Sequence, residues 1–356
     1  MSALGQKRTL QSVRPMPLYP RKRTLHCTAA NVRFVPKADK VHRSILRGYS
    51  ITSSLTRPDA RERGTVYPLP MTAFICTACG TQYSPSEAPP DACLICTDER
   101  QFVPASGQSW TTLEKLRNAH SNMFRRLAAG LTTIETTPAF GIGQRAILAR
   151  TPAGNVLWDC LALIDDATVD VLKGLGGVAG IAISHPHYYT TMAEWSRALG
   201  GVPIHLHAAD RQWVTRAESA VQFWEGDTKP IGSGLTLVRL GGHFDGGTVL
   251  HWSDWSEGRG VLLSGDILQV VPSGHVSFMW SYPNLIPLSA AKVQRMAEIL
   301  EPFAFDAVYG AFSGRGQIDT NGKQVVTASV ARYIARINET SEISVEQSAE
   351  PRRAAV

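Results

Sequence analysis

The chain has 356 residues, 44% hydrophobic and 19% charged, enough for one sizeable core and a smaller element. No apolar run approaches the roughly 18 residues of a membrane span. The formal charge of +6 is local: residues 1–70 hold 14 Lys+Arg and 3 Asp+Glu, and subtracting these from the chain totals of 36 and 30 leaves 22 basic and 27 acidic residues elsewhere. A soluble protein with no membrane partner and no nucleic-acid-binding domain is expected.

Residues 1–70 are rich in Arg, Ser, Thr and Pro, show no sustained hydrophobic period, and repeat Lys-Arg-Thr-Leu at 7–10 and 22–25. They read as a disordered basic segment. Three accounts fit this composition: a tail that touches anionic surfaces, a transit peptide, or translated upstream sequence with the native start at Met71. The last is favoured, because an ordered motif begins five residues after Met71.

That motif, in residues 71–105, is Cys76-Thr-Ala-Cys79 followed by Cys93-Leu-Ile-Cys96, with thirteen residues between the pairs. Two residues between cysteines let both sulfurs face one ion from a tight turn, and Gly80 can supply the positive φ of such a turn. Two such turns make a tetrahedral S₄ site suited to structural Zn²⁺. Metal binding would supply the folding energy of so small an element. Disulfides or a redox-active pair are the competing readings. Four of the six cysteines lie in this span and no signal peptide precedes it, so a cytoplasmic location is expected. The first turn resembles those of rubredoxins and zinc ribbons. The second lacks the Pro and Gly usual there, which favours zinc over iron.

Residues 108–130 read as a helix, with Leu113, Leu116, Met123, Phe124 and Leu127 at helical spacing. Strands are expected at 145–150, 155–158, 180–184, 203–206, 235–240, 248–252, 261–263 and 307–309. Helices are expected at 166–175, 192–199, 289–300 and 326–338. This pattern indicates an α/β or α+β domain over 106–340, followed by a flexible tail over 341–356.

Three strands run into chemistry-bearing residues. The strand at 180–184 leads into His185-Pro-His187-Tyr188-Tyr189-Thr190, that at 235–240 into Gly241-Gly242-His243, and that at 261–263 into Ser264-Gly265-Asp266. Strand ends on one sheet rim can converge. Three imidazoles and one carboxylate there would suit a catalytic zinc or other divalent ion with a position left for water.

Here the chain resembles the metallo-β-lactamase superfamily, which includes glyoxalase II-like hydrolases, over roughly residues 131–340. The family pattern is His-x-His-x-Asp-His, a later His, an Asp or Cys, and a final His, on an αββα sandwich. His185, His187, His243 and Asp266 match four positions. The family's first Asp falls on Tyr189, its next His on Thr190, and its final His near Gly310-Ala311-Phe312. The resemblance therefore implies one retained metal site and a second one lost or rebuilt. It implies a hydrolase acting on a small-molecule ester, thioester, lactone or related substrate. Asp266 would be a ligand or proton acceptor, and Tyr188 or Tyr189 a donor to a developing oxyanion. A non-catalytic binding protein on a decayed hydrolase fold and an iron-containing electron-transfer protein are the alternatives.

Other residues carry weaker signals. His205 and His207 alternate on one strand face and read as polar or core-filling side chains. Glu194 and Asp210 are possible substitute ligands, and Cys160 reads as a buried inert thiol. The aromatic, Pro-containing stretch from Phe278 to Pro287 could cover the site or pack into the core.

Overall fold

The computed structural model describes residues 71–314 and 316–346. The basic segment 1–70 and residues 347–356 lie outside the described residues. Two β-sheets face one another, with helices on both outer faces. The αββα sandwich expected from the sequence is thus present.

The first sheet has seven strands that lie side by side in chain order: Ser121–Ala128, Leu131–Thr137, Ala146–Ala149, Val156–Trp158, Gly180–Ala182, Ile204–His207 and Val221–Trp224. The first four pair antiparallel and the remainder parallel. The parallel pairs need crossovers, and helices Asp166–Gly174 and Met192–Ala198 supply two of them. Asp165 caps the first of these helices, its carboxylate accepting from Thr168 N at 2.8 Å. The second sheet orders Thr228–Gly232, Leu235–Arg239, Thr248–Trp252, Val261–Gly265 and Ala307–Gly310. Its last pair is parallel and is joined through helix Ala290–Leu300.

Alternation along the strands builds three apolar layers. Ile147, Ala149, Val156 and Trp158 of the first sheet meet Leu237, Leu250, Val261 and Leu263 of the second between the sheets. Ala146, Leu148, Leu157 and Ile181 face outward onto Leu172 and Trp195 of the first helical layer. Val238, Val249, Leu262 and Val308 face outward onto Val293, Met296 and Val330 of the other. Strands buried on both faces read as continuous apolar runs, which is why they were visible in sequence.

Two expectations are corrected. The helix expected over 108–130 is helix Leu113–Ala119 followed by strand Ser121–Ala128. His120 is extended (φ −135°, ψ 160°) and ends the helix. The chain then turns through Ala129-Gly130, with Gly130 at φ +68°, and pairs with the Thr-rich strand Leu131–Thr137. Leu116 is buried from the helix, whereas Met123 is exposed on the strand, so two unrelated faces gave the helical spacing. The helix expected at 326–338 runs from Gly322 to Glu346, so the boundary set at 340 falls within it. No helix among the described residues is long and apolar enough to cross a membrane.

Leu250 is fully buried between the sheets. Leu250→Ala is expected to destabilise the fold by about 2–5 kcal/mol through lost transfer energy and a residual cavity. Denaturant unfolding measures this, and a loss below about 1 kcal/mol would contradict the packing described.

Candidate metal centres and active-site cleft

The cysteine element is tied to the large domain along its length. Ile75–Cys76 pairs with Trp110–Thr111, so the element closes beyond the expected limit at 105. Cys76 and Cys96 Sγ lie 3.6 Å apart, as do Cys79 and Cys93 Sγ. These separations far exceed the roughly 2.05 Å of a disulfide, and the four cysteines of the element are free thiols, as is Cys160. Corners of a tetrahedron with Zn–S bonds of about 2.3 Å are about 3.8 Å apart, so the four sulfurs fit a tetrahedral metal site. Hydrogen bonding from Cys76, then from Cys79 and Cys96, holds the Cys93 thiol far below its ordinary range. The element docks through Gln82, whose N–H donates to Thr190 O at 3.0 Å and whose carbonyl accepts from Thr215 Oγ1 at 2.8 Å.

The second centre forms where strands from both sheets end on one rim. Leu235–Arg239 and Val261–Gly265 both run antiparallel to Thr248–Trp252, so they end on the same side. Their exits carry His243 and Asp266, and the exit from Gly180–Ala182 carries His185 and His187 around a 3₁₀ turn. One ligand atom from each of these four residues lies within 4.8 Å of the others, and all four side chains are buried. All four residues expected as ligands therefore converge.

Backbone contacts set this rim. Asp159, at the end of strand Val156–Trp158, adopts φ +63°, a conformation Asp tolerates better than most residues. Its Oδ1 accepts from Ser184 N at 2.7 Å, while Ser184 O accepts from Thr248 N of the second sheet at 2.9 Å. Ser184 Oγ lies 2.9 Å from His185 Nδ1. A Cβ on Gly265 would stand 2.7 Å from that same Oγ, and Gly265 sits at φ +54°, so both sterics and backbone demand glycine before Asp266.

The electrostatics suit a cation. Burial, then the neighbouring imidazoles and Arg100, push the His185 pKa well below its ordinary value; burial likewise lowers His187 and His243. These shifts favour neutral rings, whose nitrogens carry lone pairs suited to a cation. His243 Nδ1 lies 2.8 Å from Trp280 O; a carbonyl only accepts, so Nδ1 carries the proton and Nε2 is left as a donor of electrons. That Nε2 faces His187 Nδ1 at 3.3 Å, and His185 Nε2 faces Asp266 Oδ1 at 3.1 Å. Buried lone pairs directed at one another fit a bound divalent ion of the imidazole- and carboxylate-binding type. Burial raises the Asp159 carboxyl to about 8 despite its bond from Ser184.

A cleft of about 340 Å³ opens onto His187 and Asp266. Ile142, Pro283 and Phe312 supply apolar wall, Tyr282 and Gln269 polar wall, and Arg100, Gln101 and Phe102 close it from the cysteine element. Phe312 thus occupies the cleft near the position where the resemblance places a final His. Thr190, at another such position, is held at φ +37° and bonded to the cysteine element.

Tyr189, expected as a catalytic donor, packs in the outer hydrophobic layer of the first sheet and does not line the cleft. Its neighbour Tyr188 is fully buried against His185, ring centroids 4.4 Å apart. The phenol in the cleft wall is Tyr282, whose hydroxyl donates to Asp266 O at 2.6 Å. The stretch 278–287 thus serves both roles open to it, since Phe278 is core and Tyr282 and Pro283 are wall. Glu194 pairs with Arg216 at 2.6 Å, and Asp210 accepts from Gly246 N at 2.9 Å, holding the His243 loop. His207 bonds Gly226 O and packs on Trp224. None of these three joins the metal-site cluster. Arg100 escaped the sequence reading, because nothing in its neighbourhood marks a lone arginine after a CxxC pair.

No family model matches the sequence. Among solved structures, the metallo-β-lactamase DIM-1 superposes with a TM-score of 0.46 at 11% identity, covering 62% of this chain and 98% of that one. FIM-1 from Pseudomonas aeruginosa, in its mono-zinc form, gives 0.44 at 14% identity, covering 62% and 96%. The uncharacterized protein YmaE of Bacillus subtilis (strain 168) is 46% identical over 271 residues, spanning 75% of this chain and 98% of YmaE. This chain belongs to the same family as YmaE.

Proposed function

We propose that the protein is a metal-dependent hydrolase of a small ester, thioester, lactone or related substrate, with one ion in the His–Asp site and a structural ion in the cysteine element. One observation carries this reading: His185, His187, His243 and Asp266 converge at the floor of a cleft large enough for a small molecule. Zinc suits both donor sets. A divalent ion there would supply Lewis acidity and a more readily deprotonated water.

The chain's own residues supply the rest. His187 and Asp266 are the two members of the cluster that reach the cleft. Asp266 can serve as a ligand or accept a proton, and Tyr282, which anchors the Asp266 backbone, presents a neutral phenol at the cleft wall. The apolar wall of Ile142, Pro283 and Phe312 favours an apolar acyl or alkyl portion in the substrate.

Metal analysis beside hydrolysis assays tests the reading. The native protein should hold two ions per chain, and His185→Ala/His243→Ala should hold one and lose at least 10²-fold in kcat/KM. Two ions per chain with no cleavage of any ester, thioester, lactone or lactam would sink the hydrolase reading. Tyr282→Phe should retain both ions yet lower kcat/KM about fivefold, because the Asp266 backbone loses a hydrogen bond worth roughly 1 kcal/mol. Unchanged kinetics would show that Tyr282 only lines the wall.

A further inference from the structure

We infer that Arg100 is a positioning residue for His243, and that through it metal binding at the His–Asp site depends on the metal-folded cysteine element. The inference rests on the two-site reading above but not on hydrolysis.

Arg100 follows Cys96 by four residues, with tight turns in between. Thr97 N donates to Cys93 O at 3.0 Å, Asp98 N to Ile95 O at 3.3 Å, and Gln101 N to Asp98 O at 3.1 Å. The sulfur cluster therefore sets where Arg100 stands. Its side chain, 14% exposed, is committed on every side. Nε and Nη2 donate to the two Asp98 oxygens at 2.7 and 2.8 Å. Nη1 donates to His243 O at 3.0 Å. The guanidinium stacks over Phe244, 3.9 Å from the ring centroid. Phe244 in turn packs against His187, His243 and His185, with centroids 4.9, 5.1 and 5.5 Å away.

The same short segment reaches His243 by a second route. Glu99 O accepts from Ser281 Oγ at 2.8 Å and from Asn284 Nδ2 at 2.7 Å. Those residues belong to the hairpin whose Trp280 carbonyl accepts a hydrogen bond from His243 Nδ1. Both the backbone and the ring orientation of His243 are thus set by residues 98–100. Asp210 and the backbone bonds of Gly241 and Gly247 brace the rest of this loop, and residues 98–100 add the contacts that reach the His243 carbonyl and, through the hairpin, its ring. Lysine cannot replace this arrangement, because an ammonium lacks the planar fork that bonds Asp98 and His243 together while stacking on a ring.

Cobalt(II) loaded into the full chain reports the two sites separately. The sulfur site gives intense thiolate charge-transfer absorption, and the His–Asp site gives only ligand-field bands. Arg100→Ala should keep the charge-transfer absorption and bind cobalt at the His–Asp site at least tenfold more weakly. Arg100→Lys should not restore the affinity. In the unmutated protein, an organomercurial that takes up the thiolates and releases the sulfur-bound ion should weaken the His–Asp site by a similar factor. Unmutated affinity in Arg100→Ala, or an unaltered His–Asp site after mercurial treatment, would overturn the proposal. If Arg100→Ala loses the charge-transfer absorption as well, Arg100→Lys decides: tenfold weaker binding supports the role and unmutated affinity overturns it. An unmutated protein with only the sulfur-site spectrum would overturn the metal-site reading itself, and this inference with it. Binding is the readout throughout, so absence of hydrolysis leaves the result intact.

Discussion

The rim of the sandwich is organised by the backbone of Ser184. Its amide is held by the buried Asp159 carboxyl group, its carbonyl takes a hydrogen bond from Thr248 in the opposite sheet, and its hydroxyl sits against the His185 ring. One residue thereby joins both sheets and orients one of the four converging side chains. Two sheets packed only through side chains can shear by fractions of an ångström, whereas main-chain bonds at the rim fix their relative position. Side chains contributed by both sheets can converge only if that position is fixed.

The strands and their outlets were legible because the structure buries them completely. A strand covered on both faces is a short apolar run, and a polar residue directly after it stands out. His185, His243 and Asp266 were visible for this reason. The first hairpin was not, because strand Ser121–Ala128 is half exposed and its residues fell by chance at helical spacing with those of the preceding helix. Tyr189 and Tyr188 are adjacent, and sequence alone does not say which way a 3₁₀ turn aims each of two neighbouring phenols. The phenol of the cleft wall, Tyr282, lay in a stretch whose composition suited either a core or a covering loop, and it proved to be both.

Arg100 shows a more general limit. A residue that acts by tying one element to another has no local signature, since its meaning lies in the distant partner. Asp98 and Arg100 carry no motif in the sequence, yet Arg100, held by Asp98 and only 14% exposed, donates to the carbonyl of His243, more than 140 positions away. The same holds for Glu194, which looked like a spare ligand and is instead part of the contact network between Arg216 and Gln82 of the cysteine element.

The cleft wall formed by Arg100, Gln101 and Phe102 changes what counts as a module in this chain. A division near residue 105 would separate a small cysteine-rich unit from a larger sandwich, and each would look self-sufficient. The sandwich without that unit would keep His185, His187, His243 and Asp266 but present an open trough in place of a walled cleft. Its selectivity and its function would then sit on different stretches of the polypeptide. Substitutions at the exposed Phe102 could reshape what the cleft admits without disturbing a single residue of the sandwich core.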